Sequence, residues 1–329
     1  MKHKGPISLL VALSFLLVAL SFAGALSAVA QTYPNKAVHI IVPYPPGGTT
    51  DVVSRKIAQK LNEQTGQPFI VENKPGATGC IGAVQVAHSD PNGYTLMADD
   101  ITYSMRPHVF KNLPWDQERD LVPVTTIIFA PYALVVNATA PFKSLQELIA
   151  KARANAGVLT FGTGGPGSGP HFAVESFMLA ANVKLRHIPY KGGGEALTGV
   201  IAGQIDVLMA STPSLVAQTK GGRIRMLAVS GDRRLPALPE VPTFSEAGLK
   251  EAAIMNFTGL WTPKGTPSDV FAKLQSEIAK AMEAADMKTF IESQGCEPGG
   301  TKSDVFAKMV ADATKRWGPI AARAKIERK

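Results

Sequence analysis

The chain has 329 residues, 45% of them apolar and 18% charged, with 34 Lys and Arg against 26 Asp and Glu. That length is enough to bury a large core and typically divides into about two domains. The positive balance suits steering of small anions, whereas no basic run with interleaved aromatics supports a nucleic-acid partner.

Residues 1–30 read as an export signal. Lys2 and Lys4 give a basic start, Ile7 to Ala25 an apolar run, and Ala28-Val29-Ala30 the small residues a signal peptidase needs. Cleavage before Gln31 leaves 299 residues with 32 basic and 26 acidic side chains, a net charge of +6. An uncleaved membrane anchor is the alternative, because the apolar run is nearly long enough to span a bilayer. The Ala-x-Ala site and the turn-prone Tyr33-Pro34-Asn35 favour cleavage. No Cys at that point indicates a lipid anchor, and no later stretch approaches a membrane span, so a soluble periplasmic protein is expected. Cys80 and Cys296 permit one bridge, but their wide separation favours two isolated thiols.

Past the signal the rhythm is strand, glycine turn, helix. Ala37–Val42 predicts a buried strand, and Thr50–Glu63 a helix with Val52, Val53, Ile57 and Leu61 on one face. Pro68–Glu72 and Tyr94–Ala98 are strands around a short helix at Gly79–Ala87. This βαβα order predicts a parallel sheet with helices on both faces. Val122–Val136 is apolar, β-branched and long for one strand, as suits a segment crossing between lobes.

Ser144–Ala156 is a helix capped by Ser144, with Glu147 completing a capping box. Strands follow at Leu159–Phe161, Leu185–Pro189, Asp206–Ala210 and Arg225–Val229, with helices at His171–Ala181 and Ala196–Ala202. Met255–Thr262 reads as a second crossing strand, followed by amphipathic helices at Thr266–Ala285 and Lys302–Lys315. Two crossings make the first lobe discontinuous. The expected organisation is residues 31–131 plus 256–329 as lobe 1 and 132–255 as lobe 2, hinged around a cleft.

Ligands of open α/β sheets sit where strands end and helices begin, because the first helical N–H groups have no partner there. Gly47-Gly48-Thr49-Thr50-Asp51 meets that description, with glycines for close approach and threonine hydroxyls as donors. Asp51 reads as a cap more than a direct ligand, since its charge repels a carboxylate. The second such turn runs from Phe161 to His171, with five glycines in residues 162–169. Thr163 and Ser168 would donate hydroxyls, and His171 could cap, bond a ligand or pack. An ordinary tight turn remains the alternative for both segments. A faint echo links Pro43-Tyr44-x-x-Gly47-Gly48 with Pro189-Tyr190-x-x-Gly193-Gly194, which reads as a shared turn solution.

Other chemistries find little support. Gly162, Gly164 and Gly167 match G-x-G-x-x-G, but no acid follows the next strand to hold a ribose, and no phosphate-loop motif occurs. There is no G-x-S-x-G elbow, no H-E-x-x-H and no metal-spaced Cys/His cluster. A hydrolase using Ser168 and His171 is the remaining enzymatic alternative, although no third group is identifiable to orient the histidine. No cofactor and no metal are expected.

Several segments together resemble the Bug-type receptors of tripartite tricarboxylate transport systems, over nearly all of the chain past the signal. They are Pro43–Asp51, Val71–Gly82, Asp90–Leu96, Phe161–His171, His187–Gly194, Gly203–Val207, Leu227–Val229 with Leu235–Gly248, and Gly295–Gly299. The resemblance implies a two-lobed type II periplasmic-binding-protein fold, with two doubly wound α/β lobes joined by two crossing strands. It also implies capture of a small carboxylate (a di- or tricarboxylate, an amino acid, or an aromatic or pyridine acid) by a monomeric receptor with no chemistry of its own. The implied partners are membrane transporter subunits or, alternatively, a sensor kinase. Carried across, the binding turns are Tyr44–Asp51, including Gly48, Thr49 and Thr50, and Thr163–His171, including Gly164, Gly167 and Ser168.

Other positions depart from the family pattern. After the third strand the chain reads Asp99-Asp100-Ile101-Thr102-Tyr103, where relatives carry small polar residues. An acid there could recognise an amino or ring N–H group, or could sit in a solvated turn. Arg106 could pair with Asp99 or Asp100, or with a distal carboxylate. Ala210-Ser211 replaces an acid or aromatic and would enlarge the pocket or reduce its repulsion of a second carboxylate. Asp100, Tyr103, Ala210 and Ser211 therefore join the candidate ligand contacts.

Overall fold

A computed structural model describes residues 33–326 and residue 328. The expected signal segment and cleavage point lie outside the described residues. In chain order the elements are β1 (Val38–Val42), α1 (Thr49–Thr65), β2 (Phe69–Asn73), α2 (Cys80–Ala87), β3 (Thr95–Asp100), α3 (Thr102–Val109) and β4 (Leu121–Asn137). Next come α4 (Leu145–Ala154), β5 (Thr160–Thr163), α5 (Gly169–Ala181), β6 (Arg186–Pro189), α6 (Gly193–Ile201), β7 (Val207–Ser211), α7 (Val216–Lys220) and β8 (Ile224–Val229). The chain closes with β9 (Met255–Pro263), α8 (Ser268–Glu283), α9 (Ala285–Ser293), β10 (Glu297–Pro298) and α10 (Ser303–Arg323).

Two sheets share β4. The first has the order β2-β1-β3-β9-β4, with β1 parallel to both β2 and β3, and β9 antiparallel to β3 and β4. The second is built on the far end of β4, which pairs antiparallel with β7 and β8, while β5 runs parallel to β6 and β7. The register passes from one sheet to the other between neighbouring residues. Pro131 pairs with Met255 in the first, and Tyr132 pairs with Ser211 in the second. The long apolar run of β4 is thereby explained, since a strand central to two sheets is buried on both faces.

Side chains alternate across that strand as the pleat requires. Leu134 and Val136 enter a large core with Phe161, Phe172, Trp261 and Trp317, whereas Ala133 and Val135 pack with Val200, Leu208, Leu215 and Val229. Each fully buried Val or Leu contributes roughly 1.5–3 kcal/mol relative to exposure.

The capping box expected at the start of α4 forms. Ser144 Oγ accepts the N–H of Glu147 at 3.2 Å, and Glu147 reaches back to the N–H of Lys143 at 2.7 Å. Three expectations need correction. The helix expected over Thr266–Ala285 is α8, which ends at Glu283, and an unexpected helix, α9, follows after Ala284 turns extended (ψ 135°). The segment expected as a turn after the third strand is instead the end of β3 followed by α3. The helix at Lys302–Lys315 continues to Arg323. Cys80 and Cys296 are both free and buried. Among the described residues no helix is long and apolar enough to cross a membrane.

Candidate functional site

A cavity of about 300 Å³ lies where the two sheets meet. Its lining comes from the turn after β1 (Pro43 to Asp51), the Pro75–Gly79 segment, the ends of β3 and β7, Tyr132 within β4, and the turns opening α5 and α6. Of the residues expected from sequence, Tyr44, Gly48, Thr49, Thr50, Asp51, Asp100, Gly164, Ser168, Ala210 and Ser211 line it. Tyr103, Thr163, Gly167 and His171 do not.

The turn into α1 is the most open to a ligand. Its first intrahelical bond runs from the N–H of Val52 to the carbonyl of Gly48, at 3.0 Å. The N–H groups of Thr49, Thr50 and Asp51 therefore lie in the first turn, where no intrahelical acceptor exists. Gly47 adopts φ +86° to shape the bend. Asp51 is a brace, as its charge suggested. It accepts the Gly47 N–H at 3.0 Å and the Asn73 amide at 2.9 Å, and pairs with Arg55 at 2.9 Å. Burial alone would raise its carboxyl, but the bonds from Arg55, Gly47 and Asn73 prevail and hold it below the ordinary range.

The sequence reading missed the turn into α6. Lys191, Gly192 and Gly193 line the cavity. The first helical bond runs from Ala196 N–H to Gly192 carbonyl at 3.2 Å, which leaves Gly193, Gly194 and Glu195 in an uncapped first turn. This turn approaches the α1 turn closely, because a Cβ added at Gly192 would lie 2.9 Å from Pro45 Cγ. The Pro-Tyr-x-x-Gly-Gly echo was the available signal. The two segments that share it are the two that present open helix N-termini to one space.

The glycine-rich turn into α5 is largely self-satisfied. Thr163 Oγ1 accepts the Gly165 N–H at 3.1 Å and lies 2.7 Å from His187 Nε2, so its hydroxyl faces protein. Ser168 Oγ donates to the Gly165 carbonyl at 2.8 Å. At the helix start, Gly169 N–H donates to Thr102 Oγ1 at 3.0 Å, and Pro170 has no N–H. A Cβ at Gly167 would collide with Val109. His171 takes the capping and packing roles. Its Nδ1 accepts the Gly167 N–H at 3.1 Å, and its ring stacks on His187 with centroids 4.3 Å apart. Burial lowers His171 to about 3, with His187 adding to the effect, and burial lowers His187 to about 4, so both are neutral at physiological pH. With Ser168 bonded to a carbonyl and His171 to a backbone amide, the two do not form a nucleophile–base pair.

The floor of the cavity carries a carboxylate. Asp100 lines it, accepts the Thr102 N–H at 2.9 Å and lies 3.0 Å from the Tyr44 hydroxyl. Beneath it, Asp99 and Arg106 are wholly buried and 2.7 Å apart, and the Tyr44 hydroxyl donates to Asp99 at 2.6 Å. Burial pushes Asp99 up to about 6, with Arg106 opposing the shift. Arg106 would be lowered by burial, yet the charge of Asp99 outweighs this and keeps the guanidinium ionised. Gly79 (φ +85°) makes room for it, since a Cβ there would strike Arg106 Nη2. Asp99 is therefore neither a solvated turn residue nor a ligand contact, and Arg106 holds no distal carboxylate. Tyr103 packs on Trp261 (centroids 5.0 Å apart) and donates to the Gln117 carbonyl at 2.6 Å, away from the cavity.

Tyr132 also reaches this floor, and sequence did not single it out. Its side chain is 1% exposed, with its hydroxyl buried beside Ser211. Ser211 Oγ accepts from Asn256 at 2.8 Å, and Ala210 beside it keeps the wall small. No group of three or more His, Cys, Asp or Glu among the described residues is placed to hold a metal.

Residues 53–326 match the TctC family, described as the tripartite tricarboxylate transporter family receptor. Among solved structures, the periplasmic binding protein BugD is 28% identical, with TM-score 0.85 over 90% of this chain and 100% of that one. A protein of R. palustris solved with adipate is 30% identical, with TM-score 0.86 over 90% of this chain and 100% of that one. MatC from Rhodopseudomonas palustris, solved with bound malate, is 28% identical, with TM-score 0.81 over 88% and 99%.

Proposed function

The chain belongs to the tripartite tricarboxylate transporter receptor family, a family of binding proteins and not of enzymes, and on that premise we propose that it captures a small carboxylate in the cavity between its two sheets. The helix N-termini of α1 and α6 hold one carboxyl group. The observation that carries this reading is that two uncapped first turns open into the same cavity, without an Arg there to bind the anion. Aligned N–H groups and the positive end of the helix dipole are sufficient to bind an anion. Adipate and malate in two solved neighbours agree with a carboxylate ligand.

Lobe 1 is residues 31–131 with 256–329, and lobe 2 is residues 132–255, with β4 and β9 as the hinge strands. The ligand contacts are the N–H groups of Thr49, Thr50, Asp51, Gly193 and Gly194, with Asp100, Tyr132, Ala210 and Ser211 around the rest of the molecule. The protein acts as a monomer in the periplasm and delivers its ligand to membrane transporter subunits. The test is thermal unfolding of the purified protein against a panel of carboxylates. A ligand present at about 1,000 times its Kd stabilises by ~4 kcal/mol, so a micromolar binder at millimolar concentration raises Tm measurably. If no carboxylate in the panel raises Tm, the reading fails.

A further inference from the structure

The charges that line the cavity bear on what the ligand carries beyond its carboxylate. The lining includes the uncapped first turns of α1 and α6, with Lys191 as the sole cation among the described lining residues, and two carboxylates, Asp51, which is paired with Arg55, and Asp100. Asp100 Oδ1 accepts the Thr102 N–H and lies 3.0 Å from the Tyr44 hydroxyl, whose single proton goes to Asp99 by the shorter bond, and no ion pair forms between Asp100 and a basic side chain among the described residues. Arg106, the nearby cation, is committed to Asp99.

A dicarboxylate spanning this space would bring its second carboxylate against Asp100, and like charges at short range in a partly buried site are costly. An N–H donor there gains a charge-assisted hydrogen bond and returns Asp100 to a paired state. We propose that the ligand bears an N–H donor (an ammonium, an amine or a ring N–H) besides its carboxylate, and that Asp100 accepts it. This rests on the carboxylate reading above and narrows it to nitrogen-bearing acids.

Matched pairs test it by calorimetry on the full exported chain: 4-aminobutyrate with pentanoate, aspartate with succinate, and pyrrole-2-carboxylate with furan-2-carboxylate. At least one N–H-bearing member should bind about tenfold or more tightly than its partner, the worth of a charge-assisted bond. The pair that shows it identifies the donor as ammonium or ring N–H. Asp100→Asn should erase that preference while retaining the acceptor for Thr102. Asp100→Ser, which also keeps an acceptor, supplies the same reading if the first variant is misfolded by melting temperature. Equal or tighter binding of the members lacking N–H, or a preference that survives both variants, overturns the inference and leaves the carboxylate reading standing. Failure of every compound to bind overturns both.

Discussion

Thr102 Oγ1 accepts the backbone N–H of Gly169 at 3.0 Å, so the start of α5 is bonded to the start of α3 across the two sheets. With Pro170 next in line, the helix behind the most glycine-rich turn has little left to offer a ligand. The same bond ties the end of β3 to the second sheet, where Asn256 adds a parallel link from Ile101 N–H to Ser211 Oγ. Thr102→Val removes the acceptor while keeping the shape. It should cost about 1–3 kcal/mol, the penalty for a buried N–H left unpaired, read from urea unfolding of the ligand-free protein.

The Asp99–Arg106 pair has no solvent to fall back on. Asp99→Asn strands a buried guanidinium and should destabilise by roughly 3–5 kcal/mol. The double variant Asp99→Asn with Arg106→Met should recover much of that loss, because it removes the uncompensated charge. If the single variant unfolds at the wild-type urea concentration, the pair is not the buried unit described here.

Gly192 sits against Pro45, and the Thr78 hydroxyl reaches the Pro166 carbonyl at 3.2 Å on the same rim. A proline ring cannot swing away, so Gly192→Ala should hinder closure of the cavity. The expected result is several-fold weaker ligand binding with unfolding little changed, and a smaller ligand-induced compaction in small-angle scattering.

His171 and His187 have folded values near 3 and 4, both depressed mainly by burial. Depressed values mean that their contribution to stability is present above their ordinary pKa near 6.5 and is lost as pH falls toward the folded values. Their imidazole NMR signals should therefore not titrate between pH 5 and 8. A midpoint near 6.5 for either ring would contradict the buried stack.

Much of this architecture was legible in the sequence, for identifiable reasons. The strands and α1 carry strong periodicity, and the capping box at Ser144 and Glu147 is a local device. The turn into α1 was readable because its glycines and threonines precede a clean amphipathic helix. α3 was hidden because Pro107 falls inside it and its Thr102–Val109 sequence lacks a regular apolar stripe. The pairing of Arg106 with Asp99 was one of three alternatives in the sequence, and selecting it depends on the helix that brings them together. Thr163 and Ser168 looked like ligand donors because sequence cannot show that a loop consumes its own hydroxyls. Conversely, the turn at Gly192–Gly194 was read only as a turn solution shared with Gly47-Gly48, since its contribution depends on Pro45 and Pro46 lying opposite.

The central claim is that backbone N–H groups, and not a basic side chain, hold the carboxylate. Thr49 occupies the first position of α1 after an extended Gly48 (φ −79°, ψ 168°), a setting in which proline is accommodated. Thr49→Pro thus deletes one N–H without breaking the helix, and Lys191→Gln deletes the cation at the rim. Calorimetry with the most stabilising carboxylate should show about tenfold or greater loss of affinity in Thr49→Pro and a much smaller change in Lys191→Gln. Affinity abolished by Lys191→Gln and retained in Thr49→Pro would contradict the account.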